Sequence, residues 1–161
     1  MTLSVVPVGL FSFNYEVREG PAPVGSITNK AAFLQIKGIL TLGGRRYLTR
    51  RNGAFRAVYV LETPEGDLIA QASRIVSLAE EYDVAFGDRN IRLKRKVLSM
   101  RETFVISDAA GDVGRIVQES LVSRRLLCEI DAQAGWLSRE IALFLIWMAL
   151  IIRKRDAASP A

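Results

Sequence analysis

Two stretches of this 161-residue chain are basic without a single acid. Residues 45 to 56, RRYLTRRNGAFR, carry Arg45, Arg46, Arg50, Arg51 and Arg56. Residues 89 to 101, RNIRLKRKVLSMR, carry Arg89, Arg92, Lys94, Arg95, Lys96 and Arg101. Clustered cations hold phosphates, and arginine does so with a planar fork that meets two oxygens at once. Beside an anionic membrane each Lys or Arg is worth about 1 kcal/mol, so either run is long enough to matter. The competing reading is a solvated strand face, because outward positions must be polar and cations on strand edges discourage aggregation. A net charge of +5 and a pI near 9.7 permit a phosphate-bearing partner without demanding one.

Other chemistries are poorly served. The chain has no histidine, which removes the usual general base at neutral pH, the Ser-His and Cys-His pairs, and the commonest transition-metal ligand. A single cysteine, Cys128, excludes an internal disulfide and a thiolate zinc cluster, and fits a reducing compartment as a small buried apolar residue. The segments PEGD (64 to 67) and DAAGD (108 to 112) lack the alternating oxygen ligands and closing glutamate of a calcium loop, and read as turns. The acids Glu80, Glu81 and Asp83 form a short run suited to a solvated loop or to salt bridges with the basic stretches. No Gly-rich phosphate loop, nucleophile elbow or metal spacing occurs, so the sequence offers no catalytic residue, no metal site and no cofactor site. Nucleic acid is disfavoured: only Tyr47 and Phe55 accompany the cations, too few aromatics for a stacking platform, and the one clear helix is apolar.

The elements that must position the cations are strands. FSFNYEVRE alternates, with Phe11, Phe13, Tyr15 and Val17 on one face. FRAVYVLE alternates with Phe55, Ala57, Tyr59 and Leu61. Turn signals such as Gly20-Pro21, Gly43-Gly44, Asn52-Gly53 and Gly87-Asp88 punctuate residues 1 to 135 at a spacing that suggests a sandwich or barrel. The chain also repeats. RRYLTRRNGAFRAVYVLETPEGDLIAQ, from Arg45, aligns without gaps with NIRLKRKVLSMRETFVISDAAGDVGRI, from Asn90, which sets Arg50 against Arg95 and Arg51 against Lys96. A fainter copy lies earlier, so that Tyr15, Tyr59 and Phe104 recur at intervals of 44 and 45. Multi-strand units that cannot bury their faces alone close up together.

Residues 141 to 152, IALFLIWMALII, are twelve apolar residues in a row, followed by Arg153-Lys154-Arg155. As a helix they cover about 18 Å, against about 30 Å of hydrocarbon in a bilayer, so the run is short for a span. It has no polar stripe, and a helix apolar all round is surrounded on every side. Ser138 is placed to cap its start, and the basic triplet suits its C-terminal dipole. A closed sheet of many strands leaves a wide interior that needs a filler, and this helix is the one candidate.

The repeated strand-turn-strand units YVLETPEGDLIAQ and FVISDAAGDVGRI, followed by the terminal LFLIWMALIIRKR, resemble the tubby C-terminal-like superfamily, which includes LURP-one-related proteins, tubby proteins and phospholipid scramblases. The resemblance covers about residues 3 to 155. It implies a mainly β fold, a closed antiparallel barrel of about twelve strands around the central hydrophobic C-terminal helix. Residues 1 to 155 then form a single domain, and 156 to 161 a frayed tail. Because tubby domains bind phosphoinositide headgroups and scramblases act on phospholipids, the resemblance also implies an anionic phospholipid or membrane-surface partner for the basic faces. The expected function is a non-enzymatic binding module, with Arg45, Arg46, Arg50, Arg51, Arg56, Arg92, Lys94, Arg95, Lys96 and Arg101 as candidate anion-binding residues. The N-terminal segment lacks the basic start and long apolar stretch of a secretion signal, so the expected location is cytoplasmic, peripheral to the membrane. Two alternatives stay open: a scramblase-like protein whose terminal helix enters the bilayer, and a scaffold or small-ligand carrier without a membrane role.

Overall fold

A computed structural model describes residues 1–9, 12–32, 35–53, 57–96 and 99–158. It is one closed barrel of twelve antiparallel strands, each hydrogen-bonded to its sequence neighbours and the last to the first. The strands fall into three groups of four. The first holds β1 (Thr2–Pro7), β2 (Tyr15–Glu19), β3 (Ala22–Ala32) and β4 (Gln35–Leu42). The second holds β5 (Arg45–Asn52), β6 (Val58–Glu62), β7 (Leu68–Arg74) and β8 (Glu81–Phe86). The third holds β9 (Arg89–Arg95), β10 (Thr103–Ser107), β11 (Asp112–Gln118) and β12 (Leu126–Ile130). A short 3₁₀ turn at Ala132–Ala134 then leads into the helix α1 (Arg139–Ala158).

The third, fainter repeat is real in three dimensions. Tyr15, Tyr59 and Phe104 all point inward and are buried. Each lies opposite an inward residue of the next strand, Ile27, Ala72 and Ile116 respectively. The same ladder is interrupted at the same place three times. A bulge falls after Val17, after Leu61 and after Ile106, where one extra residue of the partner strand (Val24, Ile69, Val113) is left out of register. Bulges of this kind add local twist, which helps a sheet close on itself. The acidic-Gly turns follow: Gly66 (φ 98°) and Gly111 (φ 145°) take backbone angles that side chains with a Cβ avoid. Asp108 completes its turn by accepting hydrogen bonds from Ala110 N at 2.7 Å and Gly111 N at 3.1 Å.

The ungapped alignment of the two strong copies is corrected by one residue. Inward positions on β5 are Tyr47 and Thr49, with Arg51 next in the alternation; on β9 they are Ile91 and Leu93, with Arg95 next. Arg51 pairs across to Tyr59 and Arg95 to Phe104, so Arg51 is the counterpart of Arg95. The connection from β9 to β10 is longer than that from β5 to β6, and a one-residue slip exchanges the faces of a strand. Two further expectations change. Phe13 precedes β2 rather than joining it and is half-exposed, while Phe11 and Phe55 lie outside the described residues. The helix continues through Asp156 to Ala158 rather than fraying after 155, and residues 159 to 161 lie outside the described residues.

The helix runs down the barrel. Every residue from Ile141 to Ile152 is at most 5% exposed, which is why the segment needs no polar stripe. Ser138 caps its start: its carbonyl accepts from Ala142 N at 3.0 Å and its Oγ lies 3.5 Å from Ile141 N. Burial of a large apolar side chain stabilises by about 1.5–3 kcal/mol, and here a dozen consecutive residues contribute. At the widest of them, Trp147, the ring stacks on Phe144 at 6.0 Å, meets Tyr59 edge-on at 5.9 Å, and donates its indole N–H to Asn29 Oδ1 at 2.9 Å. Among the described residues, no helix is long and apolar enough to cross a membrane.

Candidate functional site

Strand alternation gives the barrel two unlike ends. Odd-numbered strands finish at one end, where α1 emerges; even-numbered strands finish at the other, where α1 enters. The entry end is built mostly from tight turns and carries the acids Glu65, Asp67, Asp88, Asp108, Asp112 and Asp131, with Arg45, Arg46, Arg89 and Arg139 at the starts of β5, β9 and α1 beside them. The exit end is built from longer connections, and cations dominate it. Arg51 and Arg95 come from the ends of β5 and β9, Arg74 from the end of β7, and Lys96 and Arg101 from the connection after β9. Arg124 and Arg125 precede β12, and the last turns of α1 bring Arg153, Lys154 and Arg155. The acids there are Glu80, Glu81, Glu102, Glu119 and Asp156.

Part of this basic end is internally paired. Arg95 lies 3.3 Å from Glu80 and 2.8 Å from Glu102, and also meets Asp156. Arg153 reaches Glu102 and Arg155 reaches Glu80, each at 2.5 Å. Tyr82 donates its hydroxyl to Glu80 Oε1 at 2.9 Å. This network ties the helix end to β9 and to the connections before β8 and β10. Burial raises the Glu102 carboxyl above the usual carboxylate range, and the nearby Arg153 and Arg95 only partly offset it. The Arg51 Nε is buried without a hydrogen-bond partner among the described residues.

Beside the network, the exit end is open, and Arg95, Glu102, Arg153 and Asp156 form one wall of the opening. A cleft of about 390 Å³ is lined by Phe13, Tyr15, Asn29, Arg124, Arg153 and Lys154, among others. Lys154 Nζ sits 3.9 Å from the centre of the Phe13 ring, and the Arg124 guanidinium lies 5.9 Å from Phe13 and 6.0 Å from Tyr15. Arg124 also donates to the carbonyl of Ser12. The connections carry apolar residues pointing into solvent: Val76 and Leu78 between β7 and β8, Met100 between β9 and β10, and Leu121 and Val122 between β11 and β12.

The residues singled out in sequence are dispersed by this geometry. Strands β5 and β9 stand four apart in a ring of twelve, so the two basic runs face directions a third of a turn apart. Arg45 and Arg46 lie at the entry end, exposed. Arg50 faces outward and holds Glu62 with two bonds, 3.1 and 2.7 Å, which keeps the Glu62 carboxyl below its ordinary range. Arg92 faces Glu81 at 3.5 Å and Asp83 at 3.4 Å, so the acidic run around Glu80 serves as a set of salt-bridge partners. Lys94 is exposed on the outer face of β9. Arg51, Arg95, Lys96 and Arg101 gather at the exit end, and Arg56 lies outside the described residues. Sequence reasoning missed Arg74, Arg124, Arg125 and the helix-borne cations as members of one surface. The usable signal was the repeat itself, which returns equivalent connections to the same end.

No family model matches the chain, and neither the curated proteins nor the solved structures give a significant match. The fold therefore defines the class by itself: a twelve-stranded antiparallel barrel plugged by its own C-terminal helix.

Proposed function

We propose that this protein is a non-enzymatic binding module that docks on anionic phospholipid surfaces through the exit end of its barrel. The observation that carries the reading is the uneven charge of the two ends: cations outnumber acids where α1 leaves, while the turns where it enters mix acids with Arg45, Arg46, Arg89 and Arg139. A body charged in this way turns its more cationic end toward a negative surface, and the attraction extends over about a Debye length, about 8 Å at physiological ionic strength. The resemblance to tubby-like and scramblase-like proteins read from the sequence implies the same ligand class. Unlike the starting expectation, the contact is assigned to the end of the barrel and not to the outer faces of β5 and β9, where Arg50 and Arg92 already hold acids. A bilayer-inserted α1 has no support in a helix enclosed by its own strands. The natural setting under this proposal is the cytoplasmic surface of a membrane, with the protein peripheral to it.

Flotation with phosphatidylcholine vesicles, with and without phosphatidylserine, tests the proposal. Binding is expected only with the anionic lipid and to fall as salt rises. Reversing Lys96, Arg101 and Arg125 to Glu is expected to weaken it by about 100-fold or more, since each cation contributes about 1 kcal/mol. Reversing Arg45 and Arg46 at the opposite end is expected to leave it nearly unchanged. Equal loss in both variants, or no flotation of the native protein, would overturn the reading.

A further inference from the structure

We infer that the apolar tips of the exit-end connections enter the bilayer interface, so that the protein docks end-on with α1 along the membrane normal. This rests on the lipid-surface reading above and adds a depth and an orientation to it. Val76, Leu78, Met100 and Val122 are each at least 89% exposed. Four such residues on one end of a small barrel are not scattered surface apolars, since most of the exposed large hydrophobics among the described residues lie there.

The tips are held out by bonds at their bases. Ile75 N donates to Glu81 O at 2.9 Å below Val76 and Leu78. Glu119 N donates to Arg125 O at 3.1 Å, and Gln118 Nε2 donates to Ser123 O at 2.7 Å, below Leu121 and Val122. The two connections are repeat-equivalent, and their base bonds set Leu78 against Val122; the third equivalent connection reads Phe33-Leu34 in sequence and lies outside the described residues.

The occupant of this surface is chosen by what surrounds the tips. Arg74, Lys96, Arg101 and Arg125 stand beside them, so the surface is apolar at its points and cationic at its shoulders. Lipid interfaces offer both complements, an acyl boundary under a layer of anionic headgroups. A second copy of this chain docking by the same end would set cation against cation. Nucleic acid provides phosphates but no apolar layer for Leu78. Approach by the other end would bring acidic turns to a negative surface.

Leu78→Cys and Val122→Cys, each labelled with an environment-sensitive bimane, read the depth directly, with Glu65→Cys at the entry end as control. With phosphatidylserine-containing vesicles, the probes at 78 and 122 are expected to shift to the blue and to be quenched by brominated acyl chains, and the probe at 65 to do neither. Leu78→Ser combined with Val122→Ser is expected to bind the same vesicles about tenfold less tightly at high salt, with the far-ultraviolet spectrum and melting midpoint of the native protein. Vesicle-bound protein whose probes at 78 and 122 stay as wet as in solution would overturn the insertion and leave the headgroup contact standing. A blue shift without vesicles that grows with protein concentration would also overturn it, in favour of self-association. Failure of the unlabelled native protein to float would remove both readings.

Discussion

Gly38 and Trp147 fit one another across the barrel wall: a Cβ on residue 38 would fall 2.5 Å from the Trp147 Nε1 and 2.5 Å from the Thr49 Oγ1. Of all the strands, β4 comes closest to α1, and the missing side chain is what lets it. Both contacting groups are buried and fixed, so neither can give way cheaply. Gly38→Ala is therefore expected to lower stability by about 1–3 kcal/mol, as overpacking does. Urea unfolding followed by Trp fluorescence checks this. An unchanged midpoint would mean that the helix is not seated against β4.

Thr49 shares that contact and has the opposite outlook. Its Oγ1 is buried without a hydrogen-bond partner among the described residues, in a core whose other described members are hydrophobic. An unsatisfied buried hydroxyl costs about 1–3 kcal/mol relative to an apolar group of the same shape. Thr49→Val is expected to be neutral or to stabilise by up to about 1 kcal/mol, measured by the same unfolding curve. A clear loss of stability would show that the hydroxyl has a partner.

Arg95 holds the helix end to the wall through Glu80, Glu102 and Asp156. Arg95→Gln leaves Glu102 with Arg153 alone in a partly buried setting, and is expected to cost about 2 kcal/mol at neutral pH, less than for a fully buried pair. The pH dependence has a definite sign. Burial, set against Arg153 and Arg95, raises the Glu102 carboxyl, so the native state holds this proton more tightly than the unfolded chain does. This group therefore makes stability fall as pH rises from the ordinary carboxylate value through the raised one. Without Arg95 the rise is larger, and the penalty is expected to shrink as pH falls toward 4 and the carboxyls take up protons. Thermal melts of both proteins from pH 4 to 8 test this; a penalty independent of pH would contradict it.

Cys128 lies on the inner face of β12, and burial pushes its thiol up to about 12. The thiolate is the reactive form, so the folded protein is expected to resist iodoacetamide at pH 8 and to react at once in denaturant. Rapid labelling of the native protein would mean that the β12–β1 seam opens.

How much of this is legible in the sequence follows from the physics of each part. The segment from Ile141 to Ile152 declares its surroundings, because only full enclosure tolerates apolar residues on every side of a helix. The turns at Gly66 and Gly111 are equally plain. The register of β5 against β9 was not, because one extra residue in a connection is invisible in an ungapped match and moves Arg95 from the face of Arg50 to that of Arg51. Phe13 reads as one more inward alternation before Tyr15, yet it caps the exit-end cleft beneath Lys154. The candidate site was least legible. Leu78, Arg101 and the pair Val122 and Arg125 come from three connections far apart in the chain, and only closure of the barrel brings these to one end.

The most direct test of the whole account places α1 inside the barrel while the protein is on a membrane. In Trp136→Phe, the remaining Trp147 reports from the middle of the helix. On phosphatidylserine-containing vesicles with brominated acyl chains, its emission is expected to stay unquenched by the lipid and by aqueous acrylamide alike, as a fully buried indole should. Quenching of Trp147 by the brominated chains would put the helix among the lipids and contradict the account.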